Sequence, residues 1–517
     1  MLSTVLVRKD SYHDSVLLMR LSQALRGLPG VEDAVVAMGT PHNRELLAGQ
    51  GYGGAELAAA GSNDLVIAVR GGPGTPAAIE AELDRLLGAR RPAGPEELRP
   101  ASLGAALALH PEANLVLISV PGEHAAREAR RALGLGRHVM LFSDNVPLAD
   151  EVALKREALA RGLLLMGPEC GTAILDGKPL GFANAVRRGT IGVVGAAGTG
   201  IQEVTCRVHH LGGGISQAIG TGGRDLSEAV GGAMTLFGIL ALAADPGTGV
   251  IVVVSKTPSP VVAAKVAAAL AAAAKPGVVH FVGAPPRADG AERGIVFADS
   301  LAGAAEDACR LAGVAGVEAA AFAPDAGRVR ELSASLAPGT KLRGLFCGGT
   351  TGQEALALLG RAGCEVRSNL HKKGVLRVEG SEPGRGHVLL DLGDDVFTRG
   401  RPHPMIEPLL RNERLAVEMA DPEVGLLLFD CVLGYGAHPD PAGVLAVGVE
   451  RARTTARCRG REIVAIASVT GTPDDPQDSR AQVRRLAAAG VVVENDNRLA
   501  ATLAALVLNA ASPGKVR

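Results

Sequence analysis

Tryptophan is absent from this chain of 517 residues, and aromatic residues make up only 2% of it. Single-stranded nucleic acid is gripped by stacking bases on aromatic rings, so that class of partner is not expected. Neither sign of charge is in excess: 53 Lys and Arg stand against 54 Asp and Glu, a net charge of -1. Nothing therefore drives the whole chain toward a polyanion or an anionic membrane surface. Long apolar runs are also missing. The most apolar stretch, residues 233–244, ends at Asp245 and is too short to span a bilayer. The first ten residues lack the apolar core of a signal peptide. Cysteine is sparse and scattered, at 170, 206, 309, 347, 364, 431 and 458, with no pair at Cys-x-x-Cys spacing. That excludes a disulfide framework and a zinc ribbon, and fits a reduced, cytoplasmic protein.

What the chain has is length, glycine and apolar strands. Hydrophobic residues are 47% of the total, and 517 residues exceed what one core organises. Residues 1–100 read as short strands alternating with amphipathic helices, a small α/β or ferredoxin-like module. A proline-bearing linker, residues 90–101, closes it. Continuous apolar runs then alternate with helix-length segments, among them residues 114–120, 138–143, 162–167, 190–195, 249–255 and 278–283. The series resumes at 343–348, 425–432, 462–469 and 490–495. Such runs predict parallel strands buried on both faces, hence a multidomain α/β chain with Rossmann-like and flavodoxin-like sheets. A composition break at 323–343 separates two blocks, and each block opens with a strand, a glycine-rich turn and a helix.

The first turn is GVVGAAGTGIQEV (192–204), with Gly195, Ala197, Gly198, Thr199 and Gly200 around the predicted helix start. The second is GLFCGGTTGQEAL (344–356), with Gly348, Gly349, Thr350, Thr351 and Gly352. Small residues let backbone N–H groups approach an anion, and a helix N-terminus adds unpaired donors and partial positive charge. Neither turn has the spacing of a nucleotide-binding signature. An ordinary tight turn explains either one alone as well as a phosphate site does; two at matching positions favour function.

Other strand exits carry polar groups. AIGTGGRDLSE (218–228) places Gly222, Gly223 and Arg224 where a carboxylate or phosphate could be clamped, or where Arg224 simply pairs with Asp225. GPECGT (167–172) makes a sharp exit at the carboxyl edge of a sheet, where Cys170 is a candidate substrate contact; with no activating His nearby in sequence it reads more readily as structural than as a nucleophile. DLGDDVFTRGRPHPMIEP (391–408) is the densest polar loop. Arg399 and Arg401 there are candidates for a carboxylate, and His403 for a general acid or base; a solvated loop is the alternative. Asp394 and Asp395 could hold Mg²⁺, but their spacing is not diagnostic, so no metal is assigned.

These motifs resemble a known family. GPECGT, IGVVGAAGTGIQE and GTGGRD, between about 113 and 283, resemble turns of the succinyl-CoA synthetase α subunit. From about 343 onward, GGTTGQEAL resembles the carboxyl-terminal ligase domain of the β subunit. DSVLLMRLS, MGTPHN, LFSDNVPLADE, GTGGRDLS, DLGDD and GRPHPMIEP resemble the FdrA family over essentially the whole length. The resemblance implies four parts. These are an N-terminal module (1–100), a CoA-binding-like Rossmann domain (101–186), an α-type ligase domain (187–325) and a β-type carboxyl-terminal ligase domain (326–517).

The departures from the resemblance matter. Where the synthetases carry a phosphorylated His, residues 283–308 contain none. No CoA-type glycine turn and no ATP-grasp domain stand out. The resemblance therefore implies a subunit of oxamate carbamoyltransferase in allantoin degradation, with phosphate or carbamoyl phosphate as reactant. It also implies a small anionic substrate and companion subunits encoded alongside. Under that reading Arg224, Arg399 or Arg401 would bind the oxamate carboxylate and His403 would protonate the leaving nitrogen. An acyl-CoA synthetase subunit, with CoA and nucleotide, and a non-catalytic anion-binding subunit are the alternatives.

Overall fold

The computed structural model describes residues 2–11, 15–40, 43–44, 47–48, 51–72, 75–88, 100, 102–284, 294–317, 324–371, 376–378, 384–398 and 401–511. The chain divides into two compact units, residues 1–106 and 107–517. In the first, strands β1 (Leu2–Arg8), β2 (Val31–Met38) and β3 (Leu65–Gly71) form an antiparallel sheet in the order β1-β3-β2. Helix Ser15–Arg26 carries apolar residues at helical spacing, and Leu18, Leu21 and Leu25 bury against Val36, Met38 and Ile67. Ile79 and Leu83 of helix Thr75–Gly88 complete that face. Tyr52, Leu57 and Ala60 cover the other face over Val66 and Ala68. The small α/β module expected from sequence is present.

The second unit holds three sheets. Strands β4 (Leu115–Ile118), β5 (His138–Leu141) and β6 (Leu165–Met166) are parallel. A seven-stranded sheet follows, made of β7 (Thr172–Leu175), β8 (Lys178–Gly181), β9 (Arg188–Ala196), β10 (Ile215–Gly220), β11 (Val250–Lys256), β12 (Gly277–Val282) and β13 (Ile295–Phe297). Its order is β13-β12-β11-β9-β10-β7-β8. The last sheet contains β14 (Lys341–Phe346), β15 (Val366–Ser368), β16 (His387–Asp391), β17 (Val424–Val432), β18 (Val464–Thr470) and β19 (Val492–Glu494), in the order β15-β16-β14-β17-β18-β19. Every pairing in it is parallel. Its two faces bury separate cores, one around Leu390, Leu427 and Ala465 and one around Leu389, Leu428 and Ile466, as period-two alternation requires.

One departure from the parallel expectation is the hairpin β7–β8, which also pairs antiparallel with β10. Its turn is Asp176-Gly177, both at positive φ, a pair that favours a tight two-residue hairpin.

In both large sheets the first parallel strand is flanked on either side by later ones: β9 lies between β10 and β11, and β14 between β16 and β17. The strand order thus reverses at β9 and at β14. In doubly wound sheets the crevice at the carboxyl end of such a switch point is where ligands bind. The two glycine-rich turns occupy these two places.

Candidate functional site

Helix Gly198–His210 starts from β9 and helix Gly349–Arg361 from β14. The two starts meet. The Thr350 N–H donates to Thr199 Oγ1 at 3.3 Å. A Cβ on Gly200 would lie 2.8 Å from Thr350 Cγ2, and one on Gly348 2.9 Å from Thr199 Cγ2. At Gly200 this approach requires glycine; at Gly348 the Thr351 hydroxyl and Asp430 Oδ2 crowd the same position even more closely. The first amides of a helix have no intrahelical acceptor, so two sets of N–H donors and two positive helix ends converge. Gly198, Thr199 and Gly349 are the half-exposed part of this junction; Ala197, Gly200, Thr350 and Thr351 are buried. The remaining two glycines of the motifs serve packing. A Cβ on Gly195 would lie 2.6 Å from the Val254 carbonyl oxygen, and Gly352 packs on Phe346 and Leu370.

The two starts differ in charge. No acidic residue lies in the first turn of helix Gly198–His210, and its N-cap, Ala197, offers no side-chain acceptor. The second start is already served by a carboxylate from the end of β17. Asp430 Oδ1 accepts from the Cys347 N–H, and Oδ2 accepts from the Gly348 N–H and the Thr351 hydroxyl, each within 2.9 Å. Asp430 is fully buried and balanced by Arg411, 3.3 Å away. Asp391, at the end of β16, stands on the other side: Gly349 Cβ would lie 2.6 Å from its Oδ2. Lys256, at the end of β11, is exposed, and its Nζ lies 3.5 Å from the same point. Among the described residues Lys256 makes no ion pair. An exposed ammonium group beside two converging helix starts is what an oxyanion needs.

Behind the junction the blocks are cross-braced. Glu203, in the first helix, accepts from the Thr470 hydroxyl at 2.5 Å and from the Asn497 N–H at 3.1 Å. Glu354, in the second, accepts from the Leu301 N–H at 2.7 Å and from Asn497 Nδ2 at 2.7 Å. Each glutamate thus reaches the start of a helix in the other block. Burial pushes both carboxyls up to about 7, with nearby Asp496 adding to the shift. Gln202 and Asn184 add bonds to the Leu433 carbonyl.

The GPECGT and GTGGRD turns lie on each other. A Cβ on Gly222, at positive φ, would lie 2.2 Å from the Pro168 carbonyl oxygen, so turn packing accounts for this glycine. Gly223 lies beside Glu169, whose exposed carboxylate belongs to the same mouth. Arg224 does not pair with Asp225. It binds Glu151 Oε2 at 2.8 Å and the Val146 carbonyl at 2.8 Å, with about a third of its side chain exposed. Asp225 is a buried partner of Lys155, which also binds Glu151.

Three expectations are corrected. Cys170 is buried, donates to the Thr172 carbonyl, and is pushed up to about 12 by burial; an enclosed, protonated thiol does not reach substrate. His403 packs on Phe182, its Nδ1 accepts from the Met405 N–H, and burial lowers it to about 4. With Nδ1 bonded to a backbone amide and burial holding the ring short of its imidazolium form, His403 is a poor source of the leaving-group proton. Arg401 pairs with Glu413 at 2.8 Å on helix Leu409–Glu418 rather than joining the helix junction. Arg399 lies outside the described residues. The residues that sequence reasoning missed, Lys256, Asp391 and Asp430, share one signal: each stands at or near the carboxyl end of a strand flanking a switch point.

Comparison with known proteins places the chain. Over 497 residues it is 43% identical to the protein YahF of Escherichia coli (strain K12), covering 95% of this chain and 96% of that one. The chain belongs to the FdrA family. Residues 345–507 match the family described as CoA-ligase, and 186–283 that described as CoA binding domain. Residues 1–100 match that described as AllF, heavy metal-associated domain. A shorter likeness, 30% identical over 148 residues, is to the alpha-2 subunit of the ADP-forming succinate–CoA ligase of Trichomonas vaginalis. It covers 28% of this chain and 46% of that one. Among solved structures, the apo form of the dinucleotide forming acetyl-coenzyme A synthetase 1 of Ca. Korarchaeum cryptofilum is 16% identical. It covers 77% of this chain and 83% of that one, with a TM-score of 0.31.

This FdrA-family chain therefore carries CoA-ligase-type domains and an enzyme-like fold behind an AllF-type N-terminal module. Two implied groups can be set against its residues. Residues 1–100 contain no cysteine, and among the described residues no three His, Cys, Asp or Glu side chains come together to hold a metal ion. In the β4–β6 sheet the first turn has one glycine, Gly122, whose Cβ would lie 2.2 Å from the Asp144 carbonyl oxygen, and Glu123 opens the helix. That sheet precedes residues 186–283, the part matched as CoA binding domain, and a packed glycine with an acidic first turn gives it no anion cradle of its own. No helix among the described residues is long and apolar enough to cross a membrane.

Proposed function

We propose that the chain is the anion-binding subunit of a carbamoyltransferase that interconverts oxalurate plus phosphate with oxamate plus carbamoyl phosphate. The observation that carries this reading is the convergence of two helix starts, Thr350 N to Thr199 Oγ1 at 3.3 Å, beside the exposed Lys256. Phosphate would accept the free amides of Gly198, Thr199 and Gly349 and face the Lys256 ammonium group. Held there, its oxygen attacks the ureido carbonyl, the C–N bond breaks, and oxamate leaves. Arg224, the accessible guanidinium nearest in sequence to the mouth turns, is the group for the oxamate carboxylate. Residues 283–308 carry no His. His280 is buried within β12 and its Nδ1 bonds the Ala298 carbonyl. A phosphohistidine relay therefore has no acceptor in that stretch, and the reading supposes companion subunits and phosphate as a reactant. Seven free thiols suit a reducing cytoplasm.

The test is phosphate-dependent release of oxamate from oxalurate, and the reverse with carbamoyl phosphate, by the chain assembled with its companions. Neither reaction occurring would end this reading. The matches to the CoA-ligase and CoA binding families favour a second reading, an acid–CoA ligase subunit. That reading requires a phosphorylated chain after addition of ATP or GTP, which intact-mass spectrometry would detect; the missing loop histidine predicts no such species.

A further inference from the structure

The junction holds a carboxylate where an anion is to bind. Asp391 ends β16 and is 8% exposed. Its Oδ1 accepts from the Gly393 N–H at 2.9 Å. Its Oδ2 faces the start of helix Gly349–Arg361, 2.6 Å from where a Gly349 Cβ would stand. Other groups around it come from separate elements. Lys256 stands at the end of β11. Asp430, on β17, is committed to the Cys347 and Gly348 amides. Asp394 lies in the loop after β16. His403 has its Nε2 beside Gly393 and is neutral. Unlike Asp430, whose two oxygens both accept backbone amides, Asp391 has its Oδ2 standing beside Gly349 at the helix start that an incoming oxyanion would use.

We propose that Asp391 is the catalytic acid–base group of this site, exchanging a single proton with a phosphate oxygen bound at the Gly349 amide. The inference rests on the carbamoyltransferase reading for its reaction but not for its binding step. An ionised Asp391 would repel a dianion at Gly349, so protonation and anion binding are linked. Burial, reinforced by Asp394 and Asp430 and opposed by Lys256, raises this carboxyl to about 6, within reach of neutral pH.

The proton balance fits one carboxyl. Monohydrogen phosphate and oxalurate enter. The P–O–C bond forms as the C–N bond breaks, and carbamoyl phosphate and oxamate leave with the same total charge. The phosphate O–H proton must travel to the departing nitrogen. Asp391, protonated when the anion binds, gives its proton to the departing nitrogen and takes the phosphate O–H proton in its place, ending as it began.

The experiment has two arms. In the first, inorganic sulfate, which does not titrate in this range, is bound to the full chain by calorimetry from about pH 5 to pH 8. Wild-type affinity is expected to fall about tenfold per unit above the Asp391 midpoint, and D391N to bind without that slope. In the second, the assembled complex is assayed for oxalurate phosphorolysis. D391N is expected to lower kcat by about 10²–10⁴ while leaving KM for phosphate unchanged or lower. Asp391→Ser repeats both arms should the amide variant fold poorly. A sulfate slope identical in wild type and variants, or a variant complex that keeps its turnover, would overturn the assignment. If the wild-type complex lacks phosphorolysis while the sulfate slope depends on Asp391, the reaction reading fails and the linkage between Asp391 and the anion stands.

Discussion

Replacing Gly200 by alanine tests the contact on which the site depends. The added Cβ would lie 2.8 Å from Thr350 Cγ2, 3.1 Å from Val254 Cγ1 and 3.2 Å from Ala197 Cβ. Thr350 is 2% exposed and its N–H is held by Thr199, so it has little room to withdraw. Overpacking of this kind costs about 1–3 kcal/mol. Alanine in place of glycine within a helix returns about 0.5–1 kcal/mol. Gly360, in the second helix, supplies the internal reference, because nothing lies within 4 Å of its Cβ position. G360A should therefore stabilise by the propensity term alone, and G200A should fall about 1–3 kcal/mol below it. The chain has no tryptophan, so urea unfolding is followed by far-UV circular dichroism, comparing midpoints at constant slope. G200A proving as stable as G360A would mean that the helix starts do not touch, and the shared anion site would fall with them.

Other consequences follow from the buried charges. Lys155 is 1% exposed and bridges Glu151 and Asp225 at 2.8 Å each; K155M should cost about 3–5 kcal/mol in chemical denaturation, and a loss under about 1 kcal/mol would contradict the bridge. Glu203 and Glu354 keep their protons to about 7 in the folded chain, against 4.5 as the ordinary value. The folded state then binds more protons between those values, so their contribution is full below about pH 4.5 and is lost as pH rises through about 7. E203Q together with E354Q should flatten that decline in a pH series of unfolding midpoints; an unchanged curve would show that the carboxyls are already ionised. Iodoacetamide should label exposed Cys458 in the native chain and spare buried Cys170, Cys206, Cys347 and Cys431, as peptide mass mapping would reveal. Rapid labelling of Cys170 would reopen its removal from the site.

The sequence by itself determined the layers, because strands buried on both faces must be apolar throughout and helices between them must carry an apolar stripe. Runs such as 249–255 and 425–432 left no other reading, and the glycines at 198–200 and 348–349 marked where two helix starts crowd together. Local chemistry even held a signal that went unused, the Asp176-Gly177 turn of the antiparallel hairpin. Strand order is a different kind of fact. Whether β9 and β14 sit at the edge or at the switch point of their sheets depends on pairings between segments tens of residues apart, which no local pattern encodes. The same holds for the charges. Asp430, Asp391 and Lys256 come from three strands and two sheets, and only folding brings them around one helix start. His403 and Arg401 show the converse. A polar loop full of reactive residue types looked catalytic, but the fold desolvates the imidazole and pairs the guanidinium with Glu413. Residue type states what chemistry a side chain can perform; burial and partners, set by tertiary structure, decide whether it does.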